Sequence, residues 1–141
     1  HKQCPAEFMI TIMRRIMMRI SERFALLNDC GSLITGESLA QVASQTQESI
    51  LVTNSVIEQL PVFRPLIGMD KEEIIKTARE IDTFDTSILP YEDCCTVFLP
   101  KNPVIKPKLD IIVKAEERLA MEELIAVAMQ NTETVIITPE Y

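Results

Sequence analysis

Two short β-prone segments, 32–35 and 61–66, each run into a helix-forming stretch, and this alternation restricts the chain more than any other feature. Consecutive strands joined through a helix pair in parallel, because the helix must cross a sheet face to bring the chain back. The expected class is therefore α/β, with a parallel sheet and flanking helices. A first helix is expected over 6–27, where Ile10, Met13, Met17, Ile20, Phe24 and Leu27 recur at steps of three and four. That stripe should face the core, with Arg15, Arg19 and Glu22 on the opposite side and Arg14 and Arg23 at its borders. Asn28, Asp29 and Gly31 should end the helix.

Further along, Ser38 with Gln41 reads as a capping box opening a helix to about residue 57. Asp70 with Glu73 should cap a third helix, to about residue 81. Residues 83–89 are β-prone, and the proline-rich stretch 91–107 is expected to be irregular. Residues 108–130 should form one last helix, and 134–138 an edge strand.

Composition narrows the function. The chain has 141 residues, 47% of them hydrophobic, enough for a packed core. A net charge of -7 repels nucleic acid as a whole, so any RNA contact would need a local basic patch. The cysteines are Cys4, Cys30, Cys94 and Cys95, with no CxxC pair, and the single histidine is His1. No Cys/His zinc set can be assembled from these, and no metal site is expected. Reduced thiols in the cytoplasm are the simplest reading. No apolar run approaches the length of a membrane span. The chain lacks an initiating Met and enters a helix almost at once, which reads as part of a longer polypeptide.

Five features have chemical potential. The strand-turn-helix Leu33-Ile34-Thr35-Gly36-Glu37-Ser38 puts a glycine where a backbone can approach a ligand. Gln45 lies just beyond, where an amide can read a base or ribose. Arg14, at the edge of its stripe, can lay its stem on the core and turn its guanidinium into a cleft. Asp93-Cys94-Cys95 places two thiols in a proline-rich loop, beside acids that raise rather than lower a thiol pKa. Lys101, Lys106 and Lys108 can touch a phosphate backbone. By residue type alone each has a plain alternative: a turn, a solvated helix face, a snorkelling arginine, a buried Cys pair, solvated lysines.

The ordered set of strings is more specific than any one of them. Thr11-Ile12-Met13-Arg14-Arg15, Thr35-Gly36-Glu37-Ser38, Gln41-Val42-Ala43-Ser44-Gln45-Thr46, Arg64-Pro65-Leu66, Met69-Asp70-Lys71 and Pro90-Tyr91-Glu92-Asp93-Cys94-Cys95-Thr96-Val97-Phe98 together resemble the ThiI family of tRNA 4-thiouridine sulfurtransferases, over roughly residues 5 to 125. The resemblance implies a PP-loop fold (adenine nucleotide alpha hydrolase-like, Rossmann-like), with residues 1–141 its C-terminal portion. It implies an enzyme that uses ATP and Mg2+ to adenylate the uridine at position 8 of tRNA. Persulfide sulfur from a cysteine desulfurase then displaces the adenylate. Some members also serve thiazole formation in thiamine synthesis. By the same resemblance Arg14, Gly36 and Gln45 contact ATP, and Cys94 handles sulfur. The full-length protein is expected to be a cytoplasmic homodimer.

The chain departs from the family pattern in several places. The Ser-Gly-Gly-x-Asp-Ser phosphate loop, the THUMP region and a following rhodanese domain are absent from these 141 residues, so the isolated chain is expected to be inactive. Ala40 and Asp82 stand where members commonly have Gly. Two other readings stay open: a non-catalytic fragment that binds nucleotide or tRNA, and a different PP-loop tRNA thiolase, although such enzymes usually carry CxxC motifs.

The adjacent cysteines can be told apart by mutation, because neighbours in an extended segment face opposite ways. In the full gene product, Cys94→Ser should abolish 4-thiouridine in cellular tRNA while leaving thermal melting unchanged. Cys95→Ser should lower the melting temperature and spare thiolation. Normal thiolation with Cys94→Ser would reverse the assignment.

Overall fold

The computed structural model describes residues 4–91 and 104–138. A 3-10 turn, Ala6–Phe8, leads into α1, Met9–Leu27, the longest helix described. The chain then passes through β1 (Leu33–Ile34), a second 3-10 turn (Ala43–Gln45), α2 (Gln47–Asn54), β2 (Val62–Phe63), α3 (Lys71–Glu80) and α4 (Phe84–Ser87). After the undescribed segment come α5 (Leu109–Glu116) and α6 (Met121–Gln130). The two strands pair in parallel, Leu33 opposite Val62 and Ile34 opposite Phe63. Thr35 extends the ladder, its amide donating to the Phe63 carbonyl at 3.0 Å. The expected α/β class with a parallel pair and flanking helices is what the described residues form. No described helix is long and apolar enough to cross a membrane.

α1 is the organising element, in contact with α2, α5, α6 and β1. It buries the face opposite to the one expected. Thr11, Ile12, Arg15, Met18, Glu22 and Ala25 are buried, whereas Met17 and Leu27 are exposed. The buried positions recur at steps of three and four, so the periodicity is helical either way; ion pairing rather than apolarity selects the face. Arg15, 3% exposed, donates from Nε to Glu116 Oε1 at 2.8 Å and from one terminal nitrogen to Glu116 Oε2 at 3.0 Å. Its other terminal nitrogen donates to the Val52 carbonyl and to Ser55 Oγ, each at 2.6 Å. Arg19 adds two donors to the same carboxylate, at 3.1 and 2.9 Å. One turn on, Glu22 accepts from the backbone amides of Glu58, Gln59 and Leu60. Each of these polar groups is satisfied, which makes a charged face tolerable inside. The apolar core beside it is Ile12, Val52, Ile112 and Ala115, closed by Cys4, Phe8, Ile16 and Leu119.

Other expectations meet the structure unevenly. α3 is capped as read: Asp70 accepts from the amides of Glu72 and Glu73, and the Glu73 carboxylate returns to the Asp70 amide at 2.8 Å. α1 ends at Asn28, with Asp29 in the left-handed region at φ 54° and the Cys30 amide reaching back to the Ala25 carbonyl. Ser38, in contrast, opens no helix. Its hydroxyl is buried and donates to the Met69 carbonyl at 2.7 Å, and α2 begins nine residues later, at Gln47, under a Thr46 cap. Val42, in the segment before α2, is exposed. Residues 84–87, read as β-prone, form a helical turn with Arg79 stacked 4.6 Å from the Phe84 ring centroid. The single helix expected over 108–130 is two, broken between Glu116 and Met121, and 134–138 pairs with no described strand. The irregular loop expected at 91–107 lies largely outside the described residues.

The buried Arg15–Glu116–Arg19 cluster should make stability pH-dependent. Burial alone would push the Glu116 carboxyl up, but the hydrogen bonds and charges of Arg19 and Arg15 outweigh it and hold it below the ordinary range. A depressed folded-state pKa gives stability that is present above the unfolded value, about 4.3, and lost as pH falls toward the folded one. Glu116→Gln should lower the melting temperature near neutral pH, because it strands a buried guanidinium. The gap between variant and parent should close as pH drops below about 4. A gap independent of pH would show that the carboxylate's charge is not what stabilises the cluster.

Candidate functional site

The strongest polar constellation outside the α1–α5 cluster lies where α1, the end of β1 and the residue after β2 converge. Its centre is Glu37, buried, with both carboxylate oxygens engaged. Arg14 donates to Oε1. Arg64 Nε donates to Oε2 at 2.7 Å, and Thr35 Oγ1 donates to the same oxygen at 3.0 Å. Arg64 is held further by Asn54 Oδ1 at 3.0 Å. Arg14 donates in addition to the Ser44 carbonyl. Burial alone would push the Glu37 carboxyl up; the hydrogen bond from Arg64, the Arg14 charge and the Thr35 hydroxyl hold it below the usual range, so it is ionised near neutral pH.

Two guanidinium charges against one carboxylate leave this group one net positive charge. It borders a cleft of about 220 Å³ lined by Arg14, Met17, Met18, Ser21, Thr35, Glu37 and Thr53. Thr53 is buried there, and its hydroxyl has no hydrogen-bond partner among the described residues. Near a cation, an apolar wall of methionines and a few hydroxyls suits a ligand with a flat apolar part and an anionic part.

Three of the four residues singled out in the sequence come together here. Arg14 touches the residue after Gly36 and the residue before Gln45, so all three border one region. Gly36 is exposed, its φ is not positive, and a Cβ built on it would meet no atom within 4 Å. Neither backbone conformation nor packing within the described residues therefore calls for glycine, and the space beside it is open to a ligand. Gln45 sits in the 3-10 turn before α2 rather than in a long helix. Cys94 lies outside the described residues. Glu37, Arg64 and Thr53 were not singled out. Glu37 and Arg64 do fall inside the strings Thr35-Gly36-Glu37-Ser38 and Arg64-Pro65-Leu66, and a carboxylate in a strand-to-helix turn between two arginines was the available signal.

Among the described residues, no group of His, Cys, Asp and Glu is placed to hold a metal ion. Lys106, one of the loop lysines, pairs loosely with Glu48 at 3.7 Å, in the open.

With this geometry in hand, comparison with known proteins is direct. The family profile described as "Thiamine biosynthesis protein (ThiI)" matches residues 1–121. A probable tRNA sulfurtransferase of Alkaliphilus oremlandii is 55% identical over 140 residues, spanning 99% of this chain and 36% of that protein. Its counterpart in Acetivibrio thermocellus is 58% identical over 138 residues, spanning 98% and 35%. The chain thus spans about a third of the length of these curated relatives. Among solved structures, a 4-thiouridine synthetase–RNA complex with bound ATP superposes with a TM-score of 0.85 at 39% identity, over 92% of this chain and 34% of that one.

The loop 36–46 carries a local strain that can be tested. Ala40 adopts φ 63°, where a Cβ crowds the backbone, while its amide donates to the Gln45 carbonyl at 2.9 Å. Asp82 has φ 56° in the turn after α3. These are the two positions where the resemblance leads one to expect Gly. Ala40→Gly should raise stability by about 1 kcal/mol, read as a shift in the denaturation midpoint. A loss of stability would mean that the methyl's packing outweighs the strain.

Proposed function

The chain belongs to the ThiI family, and from that membership we propose that it forms part of the ATP-using domain of a tRNA sulfurtransferase that makes 4-thiouridine. The observation that carries this reading is that Arg14 lines a cleft with a net positive charge while bonded both to Glu37, beside Gly36, and to the Ser44 carbonyl, beside Gln45. A nucleotide needs a cation for its phosphates, backbone open to close approach, and an apolar wall for its base; the cleft offers all three. Arg14 would bind and orient the phosphates, Gly36 would admit them to the backbone, and Gln45 would read the base or ribose. Two names of similar proteins, tRNA sulfurtransferase and a 4-thiouridine synthetase bound to RNA and ATP, support the same class.

The chemistry needs activation because a uridine carbonyl oxygen leaves poorly. ATP would supply an adenylate on that oxygen with loss of pyrophosphate, and a sulfur nucleophile at the ring carbon would then expel AMP. Residue 8 of tRNA as the target, a cysteine desulfurase as persulfide donor, and Cys94 as the thiol that accepts or resolves the persulfide belong to this proposal, as do thiamine synthesis, a cytoplasmic location and a homodimer. Mg2+ fits the scheme as an ion carried by the phosphates rather than held by the described side chains. Both oxygens of Glu37 are occupied by arginines and a hydroxyl, and Mg2+ commonly relies on substrate phosphates.

Arg14 is the decisive residue. In the full gene product, Arg14→Ala should weaken ATP binding by about 1.5–3 kcal/mol, the usual loss for an ionic hydrogen bond. Affinity for tRNA should hold. ATP affinity measured by calorimetry and equal in variant and parent would remove Arg14 from the nucleotide site and leave the proposed reading without its anchor.

A further inference from the structure

We propose that Glu37 is a positioning residue for the nucleotide and Arg64 its charge balance, the two acting through Arg14; this rests on the nucleotide reading of the cleft. An arginine has five N–H donors in a fixed fork. Two described partners, Glu37 Oε1 and the Ser44 carbonyl, account for two of them. Arg14 is therefore gripped on one side, with the rest of its fork free of described partners beside the cleft it lines. Its direction is set by Glu37, because the carboxylate is itself immobilised by Arg64 Nε at 2.7 Å and Thr35 Oγ1 at 3.0 Å, and Arg64 is tied to Asn54.

The charge count gives Arg64 its role. Arg14 with Glu37 alone would be a neutral pair, with no net attraction for an anion. Arg64 brings a second guanidinium to the same carboxylate, so one positive charge is left over. Arg64 has its Nε on Glu37 and a terminal nitrogen on Asn54, and it is not among the residues lining the cleft. It supplies charge from behind rather than contact. A planar guanidinium suits that place: it can serve a carboxylate and an amide oxygen at once, which an ammonium group cannot do in the same geometry.

Charge and position make opposite predictions for one substitution. Glu37→Gln raises the local charge from one to two. If the site worked by charge alone, the variant would bind a triphosphate more tightly. If Glu37 aims Arg14, binding weakens although the charge has grown. We expect Glu37→Gln in the full gene product to raise the KM for ATP about tenfold or more, the equivalent of one ionic hydrogen bond, with the KM for tRNA unchanged. Arg64→Gln, which makes the group neutral, should also raise the KM for ATP and flatten its dependence on salt. Arg64→Lys should restore the salt dependence but not the full affinity.

Thr35→Val provides a variant that spares all three charges. It removes one hydrogen bond to Glu37 and should raise the KM for ATP a few-fold with thermal melting near that of the parent. This keeps the proposal falsifiable if Glu37→Gln does not fold. Tighter or unchanged ATP binding in Glu37→Gln, or an unaltered KM in Thr35→Val, overturns the positioning role. If Arg14→Ala weakens ATP binding while these variants do not, only the positioning role fails. If Arg14→Ala has no effect either, the nucleotide reading fails with it.

Discussion

The rest of the structure depends on the bond between Arg15 and Glu116. The pair links the first helix to α5 across about a hundred residues of sequence, and Arg15 reaches α2 as well, through Val52 and Ser55. A buried ion pair is a poor source of net stability, since desolvating two charges costs about as much as their attraction returns. Its effect is specificity. A sliding or rotated α1 would leave a guanidinium and a carboxylate unpaired inside, at a cost of several kcal/mol. Glu22 adds a constraint of the same kind, since its carboxylate receives the amides of 58–60 that lead into β2. One helix face thus fixes α2, α5 and the approach to the sheet together.

That face also explains which parts of the fold were legible. Caps whose partners lie within one turn read correctly: the Asp70–Glu73 box and the end of α1 are local, and local hydrogen bonding decides them. The parallel pairing followed from alternation. The orientation of α1 did not, because the helix carries two stripes of helical period and apolarity alone favours the one that the fold leaves outward. Burial of the charged stripe depends on Glu116, which lies on another helix and carries no signal near α1. Ser38 misled for a related reason. Its capping pattern is genuine as a pattern, but a tertiary acceptor, the Met69 carbonyl, takes the hydroxyl instead.

The candidate site was legible as residue types and not as a network. Arg14 at the edge of a stripe, a glycine in a strand-to-helix turn and a glutamine beyond it were each ordinary signals. Their convergence became visible only through their neighbours, Glu37 and Ser44, which Arg14 touches. The role of Glu37 was only faintly signalled in the sequence, because its arginine partners come from the distant positions 14 and 64. Carboxylates buried between arginines look like any other surface acid until the fold brings the arginines together.

Arg14 and Arg15 show how one helix sends adjacent arginines to a cleft and to the core. Consecutive residues on an α-helix point about 100° apart. Arg15 turns into the core and is consumed there by Glu116, Val52 and Ser55. Arg14 turns toward the sheet edge and retains part of its fork beside the cleft. Because Arg15 fixes the rotation of α1 about its own axis, it also fixes the direction in which Arg14 leaves the helix. A site must hold its reacting groups to within about half an ångström, and a side chain as long as arginine reaches that only if both its ends are anchored. The ion pair in the core anchors the backbone end and Glu37 the other. The chain can therefore present a positive charge at a chosen point while carrying a net charge of -7 overall.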